Sequence, residues 1–294
     1  MFYRRKIILA LIGVFGGRLE EINLQKLLFL VCQKQKDPEY DFIPYLYGCY
    51  SHSAKADLHT MVQKGFLTED DSSYSKKDRN NYLLLLDEED KKLINQTFLL
   101  YNKMNGKDLM KHTYTNFPYY AINSITAEKL LGEDQLNKVN IHRAAFNNIT
   151  LYTIGYEGIS LEAYLNKLVQ NGIKVLIDVR NNPLSQKFGF SKSQLIRYCQ
   201  SLNIEYIHFA DVGIQSEYRQ ELREQNDYDN LFDSYKEKTL PKTISTQEKI
   251  LAILKSKNRI ALTCFEANIH QCHRKHLAEA IKKLPGWNYE LKHI

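Results

Sequence analysis

Apolar residues in the first part of the chain recur at the three-to-four-residue spacing of helices. The pattern predicts helices over Arg4–Phe15 and Glu20–Lys34. The first ends at the pair Gly16-Gly17, because glycine readily adopts the left-handed conformation of a helix C-terminus. Tyr40–Gly48 alternates as a short strand, and a third helix is predicted over Ser51–Lys64 with the serine as its N-cap.

Two further apolar segments, Phe66–Thr68 and Asn81–Leu86, flank the polar segment Asp71–Asn80 and are predicted to be strands on either side of it. This order of helices and strands is that of a winged helix, whose third helix would enter a nucleic-acid groove. Phosphate binding needs clustered cations, and few are present, so a nucleic-acid partner and a protein partner both stay open. The candidate nucleic-acid contacts are Lys55, His59, Lys76 and Lys77.

The segments LQKLLFL, YDFIPYLYGCYS and MVQKGFL, over roughly Leu24–Leu67, resemble the Panacea-type antitoxin domains, a bacterial winged-helix-like family. The resemblance implies a toxin-neutralising or phage-defence role. His112–Leu131 is interpreted as further helices packed on the same unit. We therefore predict that residues 1–148 form an α+β, winged-helix-like recognition or interaction domain with added helices.

From Leu151 the pattern changes to strands that alternate with helices. The run VLIDVR (Val175–Arg180) is continuously apolar in its first part, as expected of a strand buried on both faces of a sheet, and RIALTCFE (Arg259–Glu266) is similar. Strands that alternate with helices predict a mostly parallel, doubly wound sheet. We therefore predict an α/β domain over residues 149–294, carrying the active site.

Polar residues follow each predicted strand of this sheet. In an open parallel sheet such residues meet along the carboxyl edge, which is where ligands bind. We therefore expect a pocket there. The candidate catalytic residues are Asp178, Cys264, Glu266 and His273. The candidate substrate-binding residues are Tyr156, Glu157, Arg180, Ser185, Asp211, Cys272 and Arg274.

Four segments of this half resemble the bacterial domain-of-unknown-function family 488: TIGYEGISLEAYLNKL, LIDVRNNPLSQKFGFS, IEYIHFADVG and LTCFEANIHQCHRKHLAEAI. The resemblance spans nearly all of Leu151–Ile281, and its most specific motif is Cys-x-Glu followed by Cys-His-Arg. Members often carry His-Ser after Ile-Gly, where this chain has Tyr156-Glu157. The resemblance implies an α/β fold and a pocket, and it supplies no reaction.

Arg180 and Arg274 are fixed cations whose planar guanidinium groups suit phosphate or carboxylate. Arg274 falls in the first turn of a predicted helix, where exposed N–H groups add to the affinity for anions. A purely structural pairing of these arginines with Asp178 and Glu266 is the alternative. We interpret the half as a hydrolase or transferase acting on a phosphate-bearing substrate, a nucleotide or a nucleic-acid end. The alternative function is a non-catalytic sensor of a small anionic ligand.

The cysteines allow a third interpretation. LIDVR resembles the second-strand motif of rhodanese-like domains, in which a cysteine after a later strand carries sulfur, and Cys264 follows such a strand. The loop differs, because ten positions separate Cys264 from Arg274, whereas rhodaneses and cysteine phosphatases have a short loop from cysteine to arginine.

His270, Cys272, His273 and His276 lie close to Cys264 in the sequence. No pair of these five residues has a standard zinc spacing such as Cys-x-x-Cys, and we predict no metal site. The sequence has neither a Walker loop nor a dinucleotide glycine fingerprint, so no cofactor is strongly implied.

The chain of 294 residues has five cysteines and a net charge of +6. An odd number of widely spaced cysteines and the absence of an export signal predict reduced thiols in a bacterial cytoplasm. The apolar run Ile7–Val14 is too short to cross a bilayer, so we expect no membrane partner. The mild charge leaves any nucleic-acid binding to local features.

Overall fold

The computed structural model describes residues 1–143, 146–215, 218 and 224–294. The chain folds as two compact units, Met1–Ala144 and Ala145–Ile294. Within the described residues no helix combines the length and apolar character needed to cross a membrane.

The first unit combines helices with two small antiparallel sheets. In chain order its elements are α1 (Tyr3–Val14), β1 (Arg18–Glu20), α2 (Glu21–Cys32), β2 (Ile43–Tyr45), β3 (Gly48–Tyr50), α3 (His52–Gln63), β4 (Leu67–Asp70), β5 (Ser73–Lys76), α4 (Glu88–Tyr101), α5 (Gly106–Asn116), α6 (Ala127–Leu130) and α7 (Glu133–His142).

The core of this unit forms around α1 and α2. Every residue of Ile7–Ile12 is buried, because α1 is covered on all sides by other elements of the unit. The predicted cap of α3 is confirmed: the Ser51 hydroxyl accepts a hydrogen bond from the N–H of Ala54 at 3.2 Å. Strands β1, β5 and β4 form a three-stranded antiparallel sheet in that order.

Two strand predictions in this unit were wrong. Tyr40–Gly48 is not one strand, because the chain turns at Leu46 and Tyr47, and Gly48, with a φ of +90°, begins the returning strand β3. The segment Asn81–Leu86 contains a 3-10 helix, Tyr82–Leu85, instead of a strand. The partner of β4 is β5, since Asp71 and Ser72 take positive φ values of 41° and 64° and close a tight turn there.

The second unit alternates strands with helices. In chain order its elements are β6 (Thr150–Gly155), α8 (Leu161–Gln170), β7 (Val175–Asp178), α9 (Lys192–Ser201), β8 (Glu205–His208), α10 (Gln225–Ser234), α11 (Ile244–Lys257), β9 (Arg259–Cys264), α12 (His273–Lys282) and β10 (Glu290–His293).

These five strands form one parallel sheet in the order β10-β6-β9-β7-β8, which confirms the predicted parallel α/β domain. Helices cover both faces. On one face Tyr164 of α8 donates a hydrogen bond to Thr263 at 2.8 Å. On the other face Leu277 of α12 packs with Leu262 and Cys264, whose side chains point opposite to that of Thr263.

The parallel register brings the carboxyl ends of the central strands to one edge. Gly155 at the end of β6 pairs with Cys264 at the end of β9, and Asp178 at the end of β7 pairs with Thr263. The candidate residues that follow these strands therefore start from neighbouring points of the sheet.

Candidate active site at the carboxyl edge

A cavity of about 330 Å³ lies at this edge of the sheet; we call it the rim pocket. Five predicted site residues line it, from three strand ends and the loop after β7: Tyr156, Arg180, Ser185, Cys264 and Glu266. The sequence therefore predicted five of the ten residues that line the rim pocket. It missed the other five lining residues, which directly follow strand-end residues or belong to nearby loops: Asn181, Asn182, Leu184, Ile214 and Phe265.

The position of Asp178 differs from that expected of a catalytic group. Its side chain is fully buried and its carboxylate accepts hydrogen bonds from Arg180 Nε at 2.9 Å and from the Tyr206 hydroxyl at 2.6 Å. Arg180 Nη2 lies 2.5 Å from Asp178 Oδ2. The structural ion pair, named as the alternative from sequence, is thus the arrangement present, and Asp178 does not line the rim pocket.

Arg180 forms one wall of the rim pocket while bonding to protein acceptors. Its Nη1 donates to the Tyr156 hydroxyl at 2.6 Å and to the Phe190 carbonyl at 2.9 Å. Burial lowers the pKa of Arg180, but the adjacent Asp178 carboxylate outweighs burial, so the pKa rises above its ordinary value. Tyr156 stacks on Phe190 with ring centroids 4.3 Å apart. The guanidinium group thus fixes the tyrosine ring against the cavity.

Arg274 closes the loop between β9 and α12. It is 2% exposed, and its Nη1 and Nη2 donate to the carbonyls of Glu266, at 2.5 Å, and Ala267, at 3.2 Å. Glu157 supports the same loop, because its carboxylate accepts the N–H of Ala267 at 2.9 Å. Neither side chain is among the lining of the rim pocket. Both therefore act on the shape of the loop that presents Glu266.

Cys264 and Glu266 are in direct contact at the pocket wall. The Cys264 Sγ lies 3.1 Å from Glu266 Oε2, as a thiol that donates to a carboxylate would. Behind Cys264, the Nδ1 of His273 lies 3.7 Å from its Sγ and 4.0 Å from the Sγ of Cys272. Burial raises the pKa of the Cys272 thiol well above its ordinary value.

The sequence spacing of the cysteines and histidines around Cys264 argued against a metal site, but the folded chain brings three of these residues together. Cys264, Cys272 and His273 are buried and offer ligand atoms that all lie within 4.8 Å of one another. They meet because the end of β9 and the start of α12 lie close together in the fold. A search for short motifs such as Cys-x-x-Cys does not detect ligands that are brought together in this way. His276 lies apart from them on α12, where its ring packs on Phe232.

Asp211 and Ser185 take up different positions. Asp211 accepts a hydrogen bond from the Thr246 hydroxyl at 2.5 Å and lines a second cavity, of about 490 Å³, beside Tyr235 and Lys238. Ser185 stays at the rim pocket, and its hydroxyl accepts the N–H of Lys187 at 3.2 Å. Asp211 and Glu266 therefore line different cavities.

The candidate nucleic-acid contacts of the first unit are spread over several surroundings. Lys55 Nζ lies 2.7 Å from Glu21 and 3.2 Å from Glu69. Burial lowers the pKa of Lys55, but its hydrogen bonds to Glu21 and Tyr74 outweigh burial, so the pKa rises above its ordinary value. Lys76 lies in β5, 3.7 Å from Asp78. His59 and Lys77 are exposed.

Asp57 is the acidic residue of α3, and it does not face outward. It is 2% exposed and accepts hydrogen bonds from Arg4 and Arg5 at 2.6 Å each. It therefore ties α3 to α1.

Comparison with known proteins gave one family match. No curated protein matches the chain. Residues 160–281 match the model of the family described as Domain of unknown function DUF488. This match supports the resemblance seen in the C-terminal half and gives no support to the Panacea-type resemblance of the N-terminal half. The second unit is thus similar, over residues 160–281, to the family of unknown function DUF488.

Proposed function

We propose that the second unit is an enzyme, a hydrolase or transferase, that acts on a small phosphate-bearing substrate in the rim pocket. The observation that carries this proposal is the contact between Glu266 and Cys264 in the pocket wall, 3.1 Å apart. A carboxylate at the wall of a pocket is the group that general-base catalysis requires. Glu266 would take a proton from the attacking group, and Cys264 would hold the carboxylate in place.

The character of the pocket supports a polar, anionic substrate. Arg180 contributes a positive charge to the wall, while the side chains of Asn181, Asn182 and Ser185 offer neutral hydrogen-bond donors. Arg180 already donates hydrogen bonds to Asp178 and Tyr156. The side-chain amides of Asn181 and Asn182 and the hydroxyl of Ser185 would therefore make most of the direct contacts with the substrate. A nucleotide or a phosphate ester has the acceptor oxygens that suit such donors.

The test is turnover of a substrate panel by the full chain: nucleotides, nucleic-acid ends and simple phosphate monoesters, with phosphate release or product mass as the readout. We expect Glu266→Gln to lower kcat by about 10²–10⁴-fold, the range of general acid–base catalysis, with ligand affinity largely retained. A non-catalytic sensor would bind a panel member without turnover, and that result would overturn the enzymatic proposal.

Sulfur transfer is the second candidate, because Cys264 lies at the end of β9 against the pocket. Thiosulfate with cyanide as acceptor tests it directly. Thiocyanate formation that disappears in Cys264→Ser and persists in Glu266→Gln would replace the phosphate proposal with rhodanese-like chemistry.

We infer that the first unit is a winged-helix-like interaction module whose partner is a protein. The order α1, β1, α2, α3, β4, β5, with the β2-β3 hairpin inserted between α2 and α3, and the sheet β1-β5-β4 support the winged-helix assignment. The neutralisation of Lys55 by Glu21 and Glu69 favours a protein over DNA or RNA, since phosphate binding requires free cations. A toxin-neutralising or phage-defence role would use such a partner.

Binding of labelled DNA and RNA duplexes at low and high salt tests the partner class. We expect no more than weak, non-specific affinity, lost steeply with salt. Tight binding that is reduced by Lys77→Ala would instead assign a nucleic-acid partner.

We further propose that the chain works in the bacterial cytoplasm. All five cysteines are free thiols, and thiols stay reduced in that compartment. Oxidation state measured by thiol labelling in intact cells tests this, and disulfide-bonded protein would contradict it.

A further inference from the structure

We propose that Cys264, Cys272 and His273 bind a zinc ion at the floor of the rim pocket, with Glu266 beside its remaining coordination position. The binding stands on the geometry of these residues alone. Its use in catalysis, as a site that activates water, rests on the proposed function.

The separations between the ligand atoms are close to those of a tetrahedral zinc site. Bond lengths of about 2.3 Å to sulfur and 2.0 Å to nitrogen place neighbouring ligands roughly 3.5–3.8 Å apart. The Nδ1 of His273 lies 3.7 Å from the Sγ of Cys264 and 4.0 Å from the Sγ of Cys272. All three atoms fall within 4.8 Å of one another. The two separations from Nδ1 exceed those of a bound site by at most about 0.5 Å and that of the two sulfurs by no more than about 1 Å, so closure around an ion needs side-chain shifts of about 1 Å or less.

The imidazole of His273 is oriented as a metal ligand. Its Nε2 lies 2.9 Å from the carbonyl oxygen of Val179, which accepts but cannot donate. Nε2 therefore carries the hydrogen of the neutral ring, and the lone pair of Nδ1 faces the two sulfurs. Ligating histidines commonly donate their second nitrogen to a carbonyl or carboxylate in this way, which fixes the ring and raises its basicity.

The backbone holds the ligands in place before any ion binds. Cys264 ends a fully buried strand, and Cys272 and His273 begin α12. Arg274, by bonding to the Glu266 and Ala267 carbonyls, closes the loop between these elements. Arg274 is 2% exposed, and its buried positive charge favours the thiolate form of Cys272. Preformed ligands reduce the ordering cost of metal binding.

The donor set selects a borderline-soft ion. Two thiolates and one imidazole suit zinc, whereas magnesium and calcium prefer carboxylate, carbonyl and water oxygens. Three protein ligands are the usual number in catalytic zinc sites, which leave a position for water.

The open position would face the rim pocket. Of the three ligands, Cys264 lines the pocket, and Glu266 lines it beside Cys264. Zinc lowers the pKa of a bound water to about 7. Zinc binding removes the thiol proton of Cys264, so the Glu266 carboxylate is then released from its hydrogen bond with that thiol and accepts from the water instead. The carboxylate of Glu266 would then accept the proton of that water, and the resulting hydroxide would attack the phosphorus of a phosphate ester. The bond from phosphorus to the leaving oxygen would break as the new P–O bond forms, and the leaving alkoxide would take the proton from Glu266.

Metal content of the full chain, purified with reductant and without chelators, is the first measurement. We expect one zinc per chain by mass spectrometry. Replacement with cobalt should give the intense visible bands of a tetrahedral site and the charge-transfer band of thiolate ligands. Both readouts need no variant and no activity.

Matched variants locate the site. We expect Cys272→Ser and His273→Gln each to weaken zinc affinity by more than about 10-fold, measured by competition with a chromophoric chelator. Cys199→Ser and His276→Gln, at a buried cysteine on α9 and a histidine on α12 outside the cluster, should leave it unchanged. Glu266→Gln should retain zinc.

Two outcomes would overturn the proposal: folded wild-type protein that takes up neither zinc nor cobalt at the thiols, or a marked preference for another metal. The proposed function fails separately. Zinc bound without turnover supports the site and contradicts the enzyme, whereas turnover by zinc-free protein supports the enzyme and contradicts the use of the ion in catalysis.

Discussion

Two ion pairs of the second unit differ in their exposure to solvent. The side chains of Arg180 and Asp178 are 6% and 0% exposed, whereas those of Lys236 and Asp233 are 46% and 68% exposed. Removing one partner of a buried pair leaves an uncompensated charge in the interior, at a cost of about 3–5 kcal/mol. An exposed pair contributes less than about 1 kcal/mol.

We therefore predict that Asp178→Asn lowers the free energy of unfolding by about 3 kcal/mol or more, and that Asp233→Asn lowers it by less than about 1 kcal/mol. Urea unfolding of the full chain measures both. Similar effects from the two variants would contradict the structural role of Asp178.

Cys199 gives a prediction at alkaline pH. Burial, assisted by the charge of Asp178, raises its pKa from about 9.0 to about 12. The folded chain therefore keeps the thiol proton that the unfolded chain loses above pH 9. Its contribution to stability is complete below that pH and is lost as the pH rises towards 12. Between pH 9 and 10.5 the unfolding free energy of Cys199→Ala should fall less steeply than that of wild type, by up to about 1.4 kcal/mol per pH unit. Parallel slopes under reducing conditions would contradict this.

At the level of single residues, the sequence located side chains better than it assigned their roles. Polar residues after strands marked Tyr156, Arg180 and Glu266 correctly as lining the pocket. The structural role of Asp178 depends on Tyr206, which approaches it from the neighbouring strand β8. Tyr206 reaches Asp178 because β8 lies next to β7 in the sheet. The pattern of residues along the sequence does not specify this order of strands.

At the level of elements, buried parallel strands were easy to predict and short polar strands were not. Val175–Asp178 is buried at every position, and its first three residues are apolar. The hairpin between β4 and β5 depends on positive φ values at Asp71 and Ser72, positions that lack the glycine or asparagine that usually marks such turns. The strand prediction therefore failed where turn geometry, and not hydrophobicity, decides the pairing.

Gly155 at the end of β6 allows the loop after β9 to approach the sheet. A Cβ at this position would lie 1.9 Å from the carbonyl oxygen of Glu266 and 3.1 Å from Nη2 of Arg274. Because one of these atoms belongs to the backbone, the loop that carries Glu266 must move. We predict that Gly155→Ala costs about 1–3 kcal/mol of stability and weakens zinc binding at Cys264.

Gly13 provides the control for this variant. It is exposed within α1, and a Cβ there would meet only the end of the Lys76 side chain, at 3.9 Å. Alanine is the better helix former, so Gly13→Ala should stabilise the chain by up to about 1 kcal/mol. Destabilisation by both substitutions, measured by urea unfolding, would mean that the close approach at Gly155 is not the cause.

At the level of the whole molecule, each unit has its own hydrophobic core. The cluster around α1 and α2 draws its residues from the first unit, and the cluster on β7 and β9 draws its residues from the second. A chain of 294 residues exceeds the usual size of a single core, which agrees with two folding units. The exact boundary depends on which residues of the connecting segment pack on which core.

Phe146 decides where the second unit begins. Its ring lies 4.0 Å from the guanidinium carbon of Arg259, which also lies 5.1 Å from the ring of Tyr152. Arg259 donates a hydrogen bond to the carbonyl of Asn148 at 3.2 Å. A boundary placed after residue 148, as the sequence pattern suggested, would remove these contacts from the C-terminal unit.

We predict that a fragment of residues 146–294 folds cooperatively and is more stable than a fragment of residues 149–294. The expected difference is about 1–3 kcal/mol, the combined effect of one partly buried aromatic ring and its contact with a cation. Phe146→Ala in the longer fragment should account for most of it, because the lost ring and not the lost chain length removes the contact with Arg259. Equal stability of the two fragments, or a longer fragment without a cooperative urea transition, would show that the second unit depends on something outside its own core.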